Sequence, residues 1–338
     1  MKNLAKKMAQ FCAGITLSAG LLAGSAAADA QYRLVMVSHI GANDINARWF
    51  DASLAEFERR FPEVKTEYIA TSEVSTQRYI QLIEQAIATN PDGLAVAITD
   101  APALEGAIQR AIDAGIPVVA FNTPDLRDAD EKIPYVTYVG TDLYLDGLHM
   151  AEYILRRAEA GEIDMPNRVL CNNPDAGHSG LVARCQGMID GMAEAGIDTE
   201  VLTTAWDPAQ ARNILGSFLA RNDDINYIFG PAGDQGPVIH GVTEELGRDD
   251  VYIVTTDASS QHVSGVQLGN MLASTSQGFW LQGYETMNWL FWKVHYGFEP
   301  ASDILTGPSI IDASNVDQWE QVLRQVFGDS GYEEMITW

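Results

Sequence analysis

Positive charge is what this sequence has least of: 21 Lys and Arg stand against 46 Asp and Glu in 338 residues, a formal net charge of −25. A field of that sign repels phosphate and offers few cations to release its counterions. Non-specific nucleic-acid binding is thereby excluded, and an anionic membrane surface is a poor partner. Cysteine is scarce, limited to Cys12, Cys171 and Cys185. No low-complexity linker interrupts the chain, and no G-x-S-x-G elbow, H-E-x-x-H pair or phosphate loop is present. What remains is an ordinary globular mixture, 46% hydrophobic and 20% charged. That balance excludes disorder of the whole chain, and the length suffices for two domains, since single cores divide beyond about 250–300 residues.

The first thirty residues read separately. Lys2, Lys6 and Lys7 precede an apolar run from Phe11 to Leu22, and small residues follow as far as Ala30. A basic start, a short apolar middle and an A-x-A site predict a cleavable secretory signal over residues 1–28, with cleavage after Ala28 or alternatively Ala30. The run is shorter than the about 20 residues a membrane-spanning helix needs. Cys12 sits inside it, away from a lipobox-like end, so no lipid anchor is expected. Without residues 1–28 the chain keeps 18 basic against 46 acidic residues, a charge of −28, and two cysteines. Cys171 and Cys185 in an exported chain suggest a disulfide, with two buried free thiols as the alternative. Cα atoms farther apart than about 7 Å would exclude the bridge.

From Gln31 onward, short β-branched runs alternate with helical patterns. Strands are predicted at 32–38, 65–69, 93–98 and 117–121, with helices at 46–61, 75–88 and 102–114 between them. Apolar residues recur there at helical spacing, as in Ile80, Ile83 and Ile87. The series then restarts, with strands at 135–140, 168–172, 200–203, 227–230 and 251–256 and helices at 145–160, 181–195, 208–220 and 235–246. A less regular tail adds a strand at 270–276, a helix at 278–295, a strand at 309–311 and a helix at 315–327. Two such sets predict an α/β protein of two doubly wound, Rossmann-like lobes, each built on a parallel sheet buried on both faces.

Ligands of open parallel sheets bind beyond the carboxyl ends of the strands. Those ends carry Ser38 and His39, Thr99 and Asp100, Asn122 and Thr123, the stretch 172–178 with His178, Trp206 and Asp207, Gly233 and Asp234, Asp257, and Gln277. Trp49 and Phe50 stand at the start of the first helix. Flat apolar faces beside planar hydrogen-bonding groups suit a sugar, whose ring stacks on aromatics while carboxylate and amide forks take its hydroxyls. Each assignment has a plainer rival. Trp49 and Phe50 fit a helix core, Asp207 and Asp257 fit helix caps, and Arg184 fits a surface position.

With these residues in place, the chain resembles the type I periplasmic binding proteins of ribose- and galactose-type ABC importers. The resemblance is carried by Val37-Ser38 through Trp49-Phe50, the run 114–122, Val139-Gly140-Thr141-Asp142, Ala183 to Met188, Thr255-Thr256-Asp257 and Ser276-Gln277, in order along nearly all of the chain after the signal. It implies the type I periplasmic binding protein fold, two lobes closing by a hinge on one small ligand. The lobes would be 31–140 with 278–303 and 141–277 with 304–338, with crossings near Gly140-Thr141, Gln277-Gly278 and Asp303. It further implies that Trp49, Phe50 and Trp206 stack on the ligand and that Asn122, Arg184, Asp257 and Gln277 bind its hydroxyls. Asn122-Thr123 stand where ribose binders have an Asp-Arg pair, Gly233 where they have asparagine and Thr256 where they have an aromatic. Those departures leave the sugar's identity open.

The expectation is a monomeric periplasmic solute-binding protein for a neutral monosaccharide or polyol, delivering it to an ABC permease in the inner membrane and possessing no cofactor and no metal site. Alternatives are a non-sugar ligand, such as a signalling furanose, a nucleoside or an amino acid, or service to a chemoreceptor or sensor kinase. Catalysis is not expected. Gly230, Gly233 and Gly236 follow a strand, but their spacing is not that of a dinucleotide fingerprint. The carboxylates at 125–131 lack the spacing of a calcium loop, and a solvated acidic loop is the simpler account. Repressors of similar fold carry an N-terminal helix-turn-helix, where this chain has its export signal.

Overall fold

Period-two alternation accounts for the first sheet. Along β1 (Tyr32–Ser38), Leu34 and Met36 enter one core while Val35 and Val37 enter another, so the strand is buried on both faces, as parallel sheets require. The computed structural model describes residues 30–41, 46–71, 75–334 and 336; the expected signal at 1–28 lies outside them. β1 joins β2 (Val64–Ala70), β3 (Gly93–Val96), β4 (Val118–Phe121), β5 (Tyr138–Gly140) and β11 (Ile304–Leu305) in the order β11-β5-β4-β3-β1-β2, with every pairing parallel. α1 (Ala47–Arg60) and α9 (Phe279–Tyr296) cover one face through Phe50, Leu54, Phe57, Leu290 and Phe291. α2 (Thr76–Ala88) and α3 (Ala101–Asp113) cover the other through Ile83, Leu104 and Ile108.

The second sheet repeats the plan. β6 (Arg168–Asn173), β7 (Asp198–Thr203), β8 (Ile225–Gly230), β9 (Tyr252–Thr256), β10 (Ala273–Ser276) and β12 (Ser309–Asp312) lie in the order β12-β10-β9-β8-β6-β7. Only β12 runs antiparallel to its neighbour. α4 (Leu143–Glu159) and α5 (Ser179–Glu194) pack on one face through Met150, Ile154, Cys185 and Met188. The opposite face carries α6 (Pro208–Leu219), α7 (Gln235–Leu246), α8 (Ser260–Leu268) and α10 (Val316–Glu334). Asp100, Asp142, Asp207 and Ser259 accept from a backbone N–H in the first turn of the helix each precedes, which satisfies a donor the helix itself leaves open. Cys171 in β6 and Cys185 in α5 form a disulfide with Cα atoms 5.8 Å apart. No helix among the described residues is long and apolar enough to cross a membrane.

Three segments cross between the lobes and are tied together. The Thr306 N–H donates to the Gly140 carbonyl at 2.8 Å, and the Thr306 hydroxyl donates to the Gln277 carbonyl at 2.6 Å. Gly278 has φ +71°, and a Cβ there would stand 2.5 Å from the Thr306 carbonyl oxygen, so only glycine fits the crossing. The third crossing follows Leu305 instead of falling at Asp303, because Ile304 and Leu305 pair with Val139 and Gly140. The last helix also continues past Phe327, interrupted at Gly328 with φ 74° and ψ 164°.

Candidate functional site

A cavity of about 440 Å³ lies between the carboxyl ends of the two sheets, within the size range of small-molecule sites. Its walls come from loops that the strand order brings together. β4 and β9 hold the same place, third in each sheet, and the residue after each has a left-handed backbone, Asn122 with φ 60° and Asp257 with φ 85°. Such conformations in non-glycine residues cost on the order of 1–3 kcal/mol and gather at functional sites. Both side chains line the cavity.

These two residues are linked through Gln277, beside the second crossing. Gln277 Nε2 donates to Asp257 Oδ1, and Asn122 Nδ2 donates to Gln277 Oε1 at 3.5 Å and Gln282 Oε1 at 3.3 Å. Asn46, at the start of α1, reaches from the first lobe to Asp257 Oδ2 at 3.5 Å. One carboxylate thus receives amide donors from the first lobe and from the hinge. A ligand in the cavity meets a fork whose position is fixed before it arrives, which lowers the ordering cost of binding.

On another wall, Trp206 lines the cavity with its indole N–H donated to Asp175 Oδ2 at 3.3 Å, while Asp175 Oδ1 accepts from the Gly177 N–H. Arg184 is buried. Its Nε–H donates to Asp146 Oδ2 at 2.8 Å and its Nη1–H to the Pro231 carbonyl at 3.0 Å. Asp234 also lines the cavity, and burial holds its carboxyl above the ordinary range. Tyr79 contributes from the first lobe with its hydroxyl engaged by the backbone of Val37 and Ala97.

Direct contacts also join the lobes. The Ser179 N–H donates to the Thr99 carbonyl at 2.9 Å, and His178 Nε2 lies 3.4 Å from His39 Nε2. His178 Nδ1 accepts from the Gly180 and Leu181 N–H groups at the start of α5. That assigns the proton to His178 Nε2, which donates to His39, and leaves the His39 proton on Nδ1. His39 Nδ1 is buried and has no hydrogen-bond partner among the described residues, which makes it a donor available to a ligand acceptor. Burial, reinforced by Arg184, pushes the His178 imidazole down to about 3. Burial, His178 and Arg184 hold His39 well below its ordinary value against the opposing Asp175. Both rings are neutral at physiological pH.

Eight of the twelve expected residues therefore meet at one cavity: His39, Asn122, His178, Arg184, Trp206, Asp234, Asp257 and Gln277. Four do not. Trp49 and Phe50 point into the core, Trp49 edge-on to Phe327 of α10 and Phe50 among Tyr68, Phe121 and Phe279. Ser38 is fully buried, and its hydroxyl oxygen accepts from the Ile40 N–H. Asp207 is exposed and caps α6. Asn46, Asp175, Thr99 and Tyr79 also line the cavity, and of these Asn46 and Tyr79 were not among the expected strand-end residues. Thr99 and Asp175 lay within strand ends marked by the topology rule, whereas Asn46 opens a helix and carried no such mark.

The geometry has counterparts. A family model described as a periplasmic binding protein domain matches residues 39–292. The chain is similar to the xylose/arabinose-binding protein XylF of Sulfolobus acidocaldarius, 23% identical over 279 residues that cover 79% of this chain and 67% of that protein. It is also similar to a D-ribose/D-allose-binding protein of Pseudomonas aeruginosa, 26% identical over 211 residues covering 61% and 64% of the two. The chain thus spans about two thirds of the length of these relatives. In fold it resembles the crystal structure of a carbohydrate transporter from Acidothermus cellulolyticus 11B in complex with myo-inositol, with a TM-score of 0.76, 23% identity, and coverage of 89% of this chain and 99% of that one.

Proposed function

The chain belongs to the periplasmic binding protein family, and from that premise we propose that it is the solute-binding component of an ABC importer, holding a neutral monosaccharide or polyol between its lobes. The observation that carries this reading is the cavity itself. It is lined by polar groups of both lobes, with Trp206 as an apolar wall and amide and carboxylate forks at Asn122, Gln277 and Asp257. Paired hydroxyls on a small ring match forks of this kind, and the ring's C–H face matches an indole. The sugars and the polyol in the names of the similar proteins are consistent with that class.

Residues 31–140 with 278–305 turn as one body in this account and residues 141–277 with 306–338 as the other, the three linked crossings absorbing the rotation. Closed, filled protein is the form a permease in the inner membrane recognises, and residues 1–28 direct export to the periplasm. A thermal-shift screen of pentoses, hexoses, polyols, nucleosides and amino acids tests the ligand class. A ligand at 100 times its dissociation constant adds about 2.7 kcal/mol of stability. A shift with a neutral sugar or polyol supports the proposal, and a shift with an amino acid or nucleoside alone overturns it.

A further inference from the structure

Arg184 is the only Lys or Arg side chain among the described residues lining the cavity, whereas Asp175, Asp234 and Asp257 all line it. Its charge is not free. Asp146, fully buried in the first turn of α4 and outside the cavity lining, faces the guanidinium at 2.8 Å and receives the Thr256 hydroxyl at 3.4 Å. The two helices leave Arg184 little room to shift: a Cβ on Gly147, the next residue of α4, would stand 1.9 Å from the Arg184 carbonyl oxygen. Of the five N–H donors of a guanidinium, the bonds to Asp146 and Pro231 occupy two, and the side chain that carries the other three lines the cavity.

We propose that Asp146 is a specificity-determining residue that never touches the ligand: paired with Arg184, it cancels the cavity's one cation while keeping its donors in place, so the site selects uncharged over anionic polyhydroxyl compounds. The inference rests on the reading of the cavity as a sugar or polyol site. A carboxylate-bearing sugar would meet the three lining carboxylates with no net positive charge to offset them, and like charges at close quarters are strongly disfavoured. Without Asp146, Arg184 would keep a buried, unpaired charge that an anionic ligand could neutralise.

Titration calorimetry on matched ligands tests this. The pairs are D-xylose and D-glucose with D-glucuronate, L-arabinose and D-galactose with D-galacturonate, and myo-inositol with inositol 1-phosphate. The wild type is expected to prefer the neutral member by about a hundredfold or more, and Asp146→Asn to lower that preference by about tenfold or more. The double variant Asp146→Asn with Arg184→Met, which removes both charges, should return the preference to the wild-type side. An effect of Asp146 on folding alone would weaken both ligands together and leave the ratio unchanged. A folded Asp146→Asn protein with an unchanged ratio, or a wild type that prefers the anion, would overturn the inference. If the single variant does not fold, the double variant decides. A preference kept within a few-fold supports the inference, and a shift of about tenfold contradicts it. Failure of the wild type to bind any neutral member would instead overturn the reading of the cavity, and this inference with it.

Discussion

The two lobes share a strand order and even place a left-handed residue after the same strand, Asn122 in one and Asp257 in the other, yet they line the cavity with different chemistry. The first contributes uncharged groups, among them Asn46, Tyr79, Thr99 and Asn122, together with a neutral His39. Every charged side chain among the described lining residues, Asp175, Arg184, Asp234 and Asp257, comes from the second. The second lobe also holds the disulfide and the fully buried His262. A repeated scaffold fixes where side chains converge, and the identity of those side chains gives each half its own task. In the proposed function, neutral hydrogen bonding comes from one side and charge-assisted hydrogen bonding, the stronger kind, from the other.

The largest effect separates core from site. Trp49→Ala should cost about 3–5 kcal/mol of stability, as for other buried aromatics, measured by urea unfolding. Trp206→Ala should leave stability nearly unchanged and weaken ligand binding instead. A Trp49→Ala protein of wild-type stability but lost affinity would move that residue back into the site. Next comes the disulfide. Replacing Cys171 and Cys185 by Ser opens a loop of sequence separation 14, a loss of about 3 kcal/mol. Hydrogen exchange should show the loss in β6 and α5 of the second lobe and not in the first sheet. Faster exchange throughout both sheets would break the comparison.

Asp257→Ala and Asn122→Ala measure the charge asymmetry itself. Losing hydrogen bonds to a charged group is worth about 1.5–3 kcal/mol and to a neutral group about 1 kcal/mol. Affinity should therefore fall by roughly tenfold to a hundredfold in the first variant and by about fivefold in the second. Equal losses would show that the two lobes hold the ligand alike. The most gradual effect, spread over more than one pH unit, belongs to His262. Its Nδ1–H donates to the Asp257 carbonyl at 3.1 Å and its Nε2 accepts from the Gly236 N–H at 3.2 Å, and burial pushes it down to about 4. The unfolded chain takes up a proton near 6.5 and the folded chain only near 4. Stability is thus fully present above about pH 6.5 and is lost as pH falls toward 4, at up to about 1.4 kcal/mol per pH unit. His39 and His178, also held low by burial, add to the same slope. His262→Gln should therefore reduce that part of the pH profile measured by urea unfolding without abolishing it, and an unchanged slope would assign it to the other two.

Much of this arrangement was legible in the sequence, for reasons that particular residues make plain. β-Branched runs buried on both faces marked strands such as β1 and β8, and the rule that ligands gather at strand ends picked out Asn122, Trp206, Asp257 and Gln277. The start of α1 resisted. Residues three and four apart share a helix face, so the pattern does not separate Asn46 from Trp49 and Phe50. Asn46 lines the cavity from the N-cap of α1, while the two aromatics, a turn further in, are buried in the core, and composition alone favoured the aromatics. β11, two residues long, is too short for any periodicity to register. Asp207 and Asp257 are both aspartates at strand ends, but one caps α6 in solvent and the other accepts amides inside the cavity. That distinction depends on neighbours distant in sequence.

The proposed function has a neutral polyhydroxyl ligand held between an uncharged wall and a charged one. Its most direct test is a calorimetric titration of the wild type and Asp257→Ala with the neutral sugars and polyols of the screen. One-to-one binding of one of them by the wild type, weakened about tenfold or more by the substitution, is the predicted result. Absence of binding by every neutral sugar and polyol, beside saturable binding of an amino acid or nucleoside, would contradict it.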